Sequence, residues 1–182
     1  MRITGGSLRG RRVETPPGLI RPAMDRMRES VFAVLGDMNG RSFLDLFTGS
    51  GIIALEAASR GALQVEAVEM DKKKYKILLK NVSMAPVRIN CRFMAVELYI
   101  RQARQTFDYI FCDPPFPYRY KRELAASIAA SALLAGSGIL MMHRPREDFW
   151  ADGVNGFTLS DRRAYGRSIV DFWRLEAKNV SI

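Results

Sequence analysis

The sequence predicts an α/β protein: a seven-stranded, mostly parallel sheet that ends in an antiparallel hairpin. Three observations lead there. From residue 42 onward, short β-rich runs alternate with segments of helical periodicity. The apolar runs are nearly continuous, as in strands covered on both faces. The last two β-rich runs follow each other too closely for a crossover helix, so they pair antiparallel.

The chain divides into a basic arm at 1–23 and one domain at 24–182. Arg2, Arg9, Arg11, Arg12, Arg21, Arg26 and Arg28 face only Glu14, Asp25 and Glu29 over about the first thirty residues. Gly5, Gly6, Gly10, Pro16, Pro17, Gly18 and Pro22 break it into turns and extended pieces. It reads either as a solvated tail or as a small arm that grips RNA. A helix follows from about Asp25 to Leu35, with Met27, Val31, Phe32 and Leu35 on one apolar face. Strands are expected at SFLDLF from Ser42, VEAVEM from Val65, VRINCRFM from Val87, FDYIFC from Phe107 and GILMMH from Gly138. Helices are expected between them, near Ile52–Ser59, Lys72–Met84, Val96–Arg104 and Lys121–Leu134. GFTLSDRRAY and SIVDFWRLE form the closing hairpin.

Composition narrows the function. With 182 residues, 48% hydrophobic and 26% charged, the chain is of globular type. No apolar run approaches the roughly 20 residues of a membrane span, and no apolar segment follows the basic N-terminus. A cytoplasmic, membrane-free monomer is the expectation. Cys91 and Cys112 sit in apolar stretches without metal-ligand spacing and read as reduced thiols. His143, the single histidine, ends an apolar run with no visible partner and reads as structural, so no metal is expected. The net charge of +9 favours a polyanionic partner.

Two motifs carry chemistry. Asp45-Leu-Phe-Thr48-Gly49-Ser50-Gly51-Ile-Ile-Ala54 joins a strand to a helix, where glycines allow close ligand approach and the helix offers unpaired N–H groups. Glu69 ends the next strand, where a carboxylate can bind both hydroxyls of a ribose. Gly49-x-Gly51-x-x-Ala54 also fits a dinucleotide fingerprint, so a nicotinamide oxidoreductase is a rival. Asp45 weighs against it: a pyrophosphate gains nothing from a carboxylate there, whereas S-adenosylmethionine, with its sulfonium and α-ammonium, does. The second motif, Asp113-Pro114-Pro115-Phe116, lies at the end of FDYIFC, at the same sheet edge. The Asp113 carboxylate and Pro114 carbonyl can accept both hydrogens of an arylamine and aim its lone pair at a methyl group. Phe116 can stack on an extruded base. Tyr118, Arg119 and Lys121 follow as RNA contacts, or else as a solvated helix start. The substrate of such a site is a planar amine: guanine N2, adenine N6 or a protein amide. A catalytically weak RNA-binding assembly factor is the alternative of another class.

Five stretches together resemble the bacterial small-subunit (16S) rRNA guanine-N2 methyltransferases: MRITGG with LRGR, RPAMDRMRESVF at 21–32, DLFTGSGIIALEAASRGA at 45–62 with VEMD at 68–71, DPPF at 113–116, and YGRSIVDFWR at 165–174. The resemblance spans most of the chain, and its N-terminal signature is the specific part. It implies a class I S-adenosylmethionine-dependent methyltransferase, Rossmann-like, with a basic N-terminal β-hairpin, acting on 16S rRNA in an assembling small subunit. By the same resemblance Asp45, Thr48, Gly49, Ser50 and Gly51 line the methionine end of the cofactor and Glu69 holds its ribose. Met70, Met94, Ala95 and Asp113 complete the cofactor site, and Asp113, Pro114 and Phe116 serve catalysis. Arg9, Arg11, Arg12 and Arg21 are the RNA contacts expected of the basic arm, and the resemblance adds Arg26 and Arg28 at positions near the cofactor and RNA entrance. Two departures stand out. Phe93-Met94-Ala95 replaces the family's Gly-Asp-Ala, removing a carboxylate for the adenine amine, and Arg167 stands where an acidic residue is common.

Overall fold

A computed structural model of the chain describes residues 1–15, 22–148, 150 and 153–177. Seven strands run in chain order as β1 (Ser42–Leu46), β2 (Gln64–Val68), β3 (Ile89–Arg92), β4 (Phe107–Cys112), β5 (Leu134–Pro145), β6 (Phe157–Tyr165) and β7 (Ser168–Leu175). The helices are α1 (Pro22–Leu35), α2 (Ile52–Ser59), α3 (Tyr75–Val82), α4 (Val96–Gln102) and α5 (Lys121–Ala130), with a 3₁₀ turn at Lys72–Lys74 before α3. The sheet order is β3-β2-β1-β4-β5-β7-β6. Only β7 runs against the rest, pairing antiparallel with both β5 and β6.

Side-chain alternation along each central strand builds two cores. Phe43 and Phe111 face α1 and α2, while Leu44, Leu46, Ile110 and Cys112 face the side of α4 and α5. Both faces are therefore covered, which is why these strands read as unbroken apolar runs. The expected apolar face of α1, formed by Met27, Val31, Phe32 and Leu35, is buried in the first core. Two boundaries differ from expectation. α5 stops at Ala130 because Ser131 is extended and its hydroxyl accepts the Leu133 N–H, and β5 therefore begins at Leu134. The expected helix from Lys72 opens as a 3₁₀ turn because the Asp71 carboxylate caps Lys73 N–H at 3.0 Å.

The N-terminal segment is a docked hairpin. Ile3 N–H donates to Arg11 at 3.0 Å and Gly10 N–H to Ile3 at 2.8 Å, with an antiparallel bridge between Arg2 and Arg12. Ile3 and Val13 are buried in the same core as α1 and α2, so packing continues across the expected boundary at residue 23. Arg21 lies outside the described residues. No helix among the described residues is long and apolar enough to cross a membrane.

Candidate active site

Strand order reverses between β1 and β4, and the crevice outside their carboxyl ends is the default ligand position in such sheets. The two motifs meet there. β1 and β4 pair in register up to Leu46 and Cys112, and Asp113 N–H donates to the Leu46 carbonyl at 3.2 Å. A narrow crevice bounded by Met24, Asp45, Phe47, Thr48, Ile52 and Asp113 lies between them.

Asp45 is buried. Its carboxylate accepts the Thr48 hydroxyl and, at 3.1 Å, the Ala54 N–H in the first turn of α2. Burial nevertheless pushes its pKa from 3.8 up to about 7, and the nearby Asp113 and Glu69 carboxylates add to the rise. Asp45 and Asp113 line the crevice and Glu69 stands behind its loop, with Lys74 3.4 Å from Glu69, so the acids nearest the opening suit a positively charged ligand. The loop after Asp45 is held from two sides. Glu69 accepts Gly49 N–H at 2.9 Å and Asp71 N–H at 2.8 Å, while Asn81 donates to the Ser50 carbonyl at 2.8 Å. Gly51 has φ 81°, an angle that side chains rarely adopt and that calls for glycine, and a Cβ there would also press on the Leu78 side chain at 2.7 Å. Phe47 has φ 61°, a left-handed conformation that is costly for a bulky residue and concentrated at functional sites. Nothing in the sequence signals that strain.

Met70, Met94 and Ala95 follow the ends of β2 and β3. Met70 is 63% exposed, and the Phe93 ring lies against Tyr75, tilted by 39° with centroids 4.0 Å apart. This apolar, partly open shelf could hold an adenine where the family's Gly-Asp-Ala is missing.

On the other motif, Pro114 is buried, Phe116 is 36% exposed, and the Asp113 carboxylate is part-exposed. Sequence reasoning missed a partner: His143, from β5, places Nδ1 2.7 Å from Asp113 Oδ1. The histidine expected to be unpartnered and structural therefore has a partner, the carboxylate of the DPPF motif. Beside Phe116 opens a cavity of about 400 Å³ lined by Tyr118, Arg119, Arg122, Asp148 and Trp150.

Two expected RNA contacts are corrected. Arg28 is 1% exposed, and its guanidinium donates to the Arg2 carbonyl (2.8 Å), Asp25 (2.7 Å) and Glu56 (3.4 Å). It pins the hairpin to α1 and α2. Lys121 is likewise buried, its ammonium held by Asp148 and by the carbonyls of Phe116 and Tyr118 at 2.6–2.8 Å. It braces the DPPF loop. Arg9, Arg11, Arg12, Arg26 and Arg119 are exposed, and Tyr118 is half-buried against Phe47 and Tyr120. Arg167 is exposed at the β6–β7 turn, 3.8 Å from Glu147.

The family model described as "Conserved hypothetical protein 95" matches residues 1–174. The chain belongs to this family. Among curated relatives, Ribosomal RNA small subunit methyltransferase D of Escherichia coli K12 is 29% identical over 188 residues, covering 100% of this chain and 93% of that one. The tRNA1(Val) (adenine(37)-N6)-methyltransferase of Flavobacterium psychrophilum is 31% identical over 129 residues, covering 60% of this chain and 55% of that one. Among solved structures, Escherichia coli yhhF matches with a TM-score of 0.87 at 28% identity, covering 98% of this chain and 99% of that one. The family member described here has the class I methyltransferase fold, with the antiparallel strand between the last two parallel ones.

Proposed function

We propose that this protein transfers a methyl group from S-adenosylmethionine to the exocyclic N2 of a guanine in small-subunit rRNA. The observation that carries the reading is the meeting of an acid-lined glycine loop and Asp113-Pro114-Pro115-Phe116 at one switch point of the sheet. Relatives named as rRNA small subunit methyltransferases over the full chain supply the substrate class.

When bound, S-adenosylmethionine supplies an electrophilic methyl on a sulfonium. Asp45, with Thr48, Gly49, Ser50 and Gly51, holds its ammonium end, Glu69 turns to its ribose, and Met70, Met94 and Ala95 flank its adenine. Asp113 and the Pro114 carbonyl accept the two N2 hydrogens, which draws the ring-delocalised lone pair out toward the methyl. As the methyl–sulfur bond gives way to the N–C bond, leaving a neutral thioether, Asp113 would take the proton released by the amine, with Phe116 stacked on the guanine. The hairpin, through Arg9, Arg11 and Arg12, and Arg26 and Arg119 nearer the crevice, bind phosphates of the assembling subunit in the cytoplasm.

The test is transfer of labelled methyl to small subunits lacking the modification, followed by nucleoside analysis. N2-methylguanosine is the expected product. N6-methyladenosine, or label in protein, would overturn the guanine assignment, and absence of transfer despite cofactor binding would leave an RNA-binding assembly factor.

A further inference from the structure

Parallel pairing of β4 and β5 sets Cys112 beside Met142, so the residues that follow, Asp113 and His143, stand side by side. His143 Nδ1 lies 2.7 Å from Asp113 Oδ1. A carboxylate oxygen can only accept, so at this distance the proton sits on Nδ1. The opposite nitrogen, Nε2, is buried without a partner among the described residues. A proton there would be a buried unpaired donor, which favours the tautomer with hydrogen on Nδ1. The imidazole is nearly enclosed, with 6% of the side chain exposed against 28% for Asp113, and its ring meets Phe116 edge-on at 5.7 Å between centroids. His143 is thus fixed by the sheet, while Asp113 sits on the loop that follows it.

We propose that His143 is the positioning residue for Asp113. Its N–H occupies Oδ1 and locks the carboxylate plane, so that Oδ2 is the oxygen presented to the substrate amine. His143 touches neither substrate nor cofactor and acts only through Asp113. The inference rests on the proposed role of Asp113 as the amine acceptor.

The chain has one histidine, so in untagged protein its ring nitrogens are identified without assignment by mutation. Nitrogen-15 spectra of the free protein are expected to show protonated Nδ1, and Asp113→Ala should move that signal. A proton on Nε2, or no response to Asp113→Ala, would overturn the proposal whatever the enzyme methylates. In the methyl-transfer assay, His143→Leu should lower kcat by roughly 100-fold, with KM for S-adenosylmethionine and thermal unfolding little changed. His143→Asn, whose amide can donate to the same oxygen, should recover most of the loss. In an Asp113→Ala background His143→Leu should cost nothing further. Multiplying losses, or a kcat within about twofold of wild type for His143→Leu, would overturn it. Correct tautomer spectra from a protein that transfers no methyl to guanine would instead count against the guanine reading alone.

Discussion

Asp45 sits beside two other carboxylates in a place water barely reaches, with a pKa of about 7 in place of 3.8. A carboxyl whose folded pKa is raised keeps its proton where the unfolded chain has lost it. Its stabilising contribution is full below the unfolded value and is lost as pH rises through 7. The free protein should therefore lose thermal stability as pH rises from about 4 to 7, while a cationic cofactor offsets the ionised carboxylate over the same interval. The thermal shift produced by S-adenosylmethionine should grow across that window, and Asp45→Asn should flatten both trends. A shift independent of pH in the wild type would refute this account of Asp45. For Asp113→Ala the expected outcome is a loss of turnover of about 100-fold or more with cofactor affinity retained, since a contact to the reacting amine is removed. Turnover near wild type in a single-turnover assay would rule out the assigned role. Asp45, Glu69 and Asp113 were legible in the sequence because each is written into a local motif at a strand end. His143 and Phe47 were not: one depends on strand register between distant segments, the other on a backbone angle that its residue type does not signal.

Among the elements, the hairpin and α2 are joined by ionic contacts that include Arg28, a residue expected to meet RNA. Glu56 is fully buried and accepts Thr4 N–H at 2.6 Å, while pairing with Arg28 and Arg60 at 3.3–3.4 Å. Ser59 donates its hydroxyl to Gly5 and accepts Leu8 N–H, which fastens the hairpin turn to the end of α2. Gly6 at φ 75° has the Ser59 carbonyl where a Cβ would be, so the turn cannot dock with any other residue there. Glu56→Ala should destabilise the fold by about 2–3 kcal/mol, because Thr4 N–H loses its buried acceptor and Arg28 and Arg60 lose a shared carboxylate, Asp25 remaining to Arg28. Chemical denaturation measures this, and a change under about 1 kcal/mol would mean that the network contributes little. Helix and strand types were readable from periodicity, but an arginine-rich stretch does not say which guanidiniums turn inward. Arg28 does so because Glu56, 28 residues later, is itself buried and needs a partner.

For the molecule as a whole, the +9 charge sets the approach to RNA. The hairpin turn lies beside the far end of α2, which at 8 residues is about 12 Å from the glycine loop. In the proposed function Arg9, at that turn, meets RNA away from the reacting base, while Arg11 and Arg12 lead back along the hairpin toward Glu14, which bonds Asn81 beside Ser50. Replacing all three by Ala should weaken subunit binding and reduce the salt slope of log K by up to about 3, with turnover on bound substrate preserved. An unchanged slope in a filter-binding titration would remove the hairpin from the RNA interface.

One feature of the sheet bears on how the chain is made. β7, the last strand in sequence, is not at the rim but between β5 and β6. During synthesis β5 emerges with Leu140, Met141 and Met142 along an edge that has no neighbour until residues 168–175 have left the ribosome. Until then the nascent protein carries an open apolar rim able to pair with another chain, and β6 has nothing to attach to. A chain cut short of Ser168 leaves that edge of β5 unpaired and is expected to aggregate, which sedimentation of the truncated product would test.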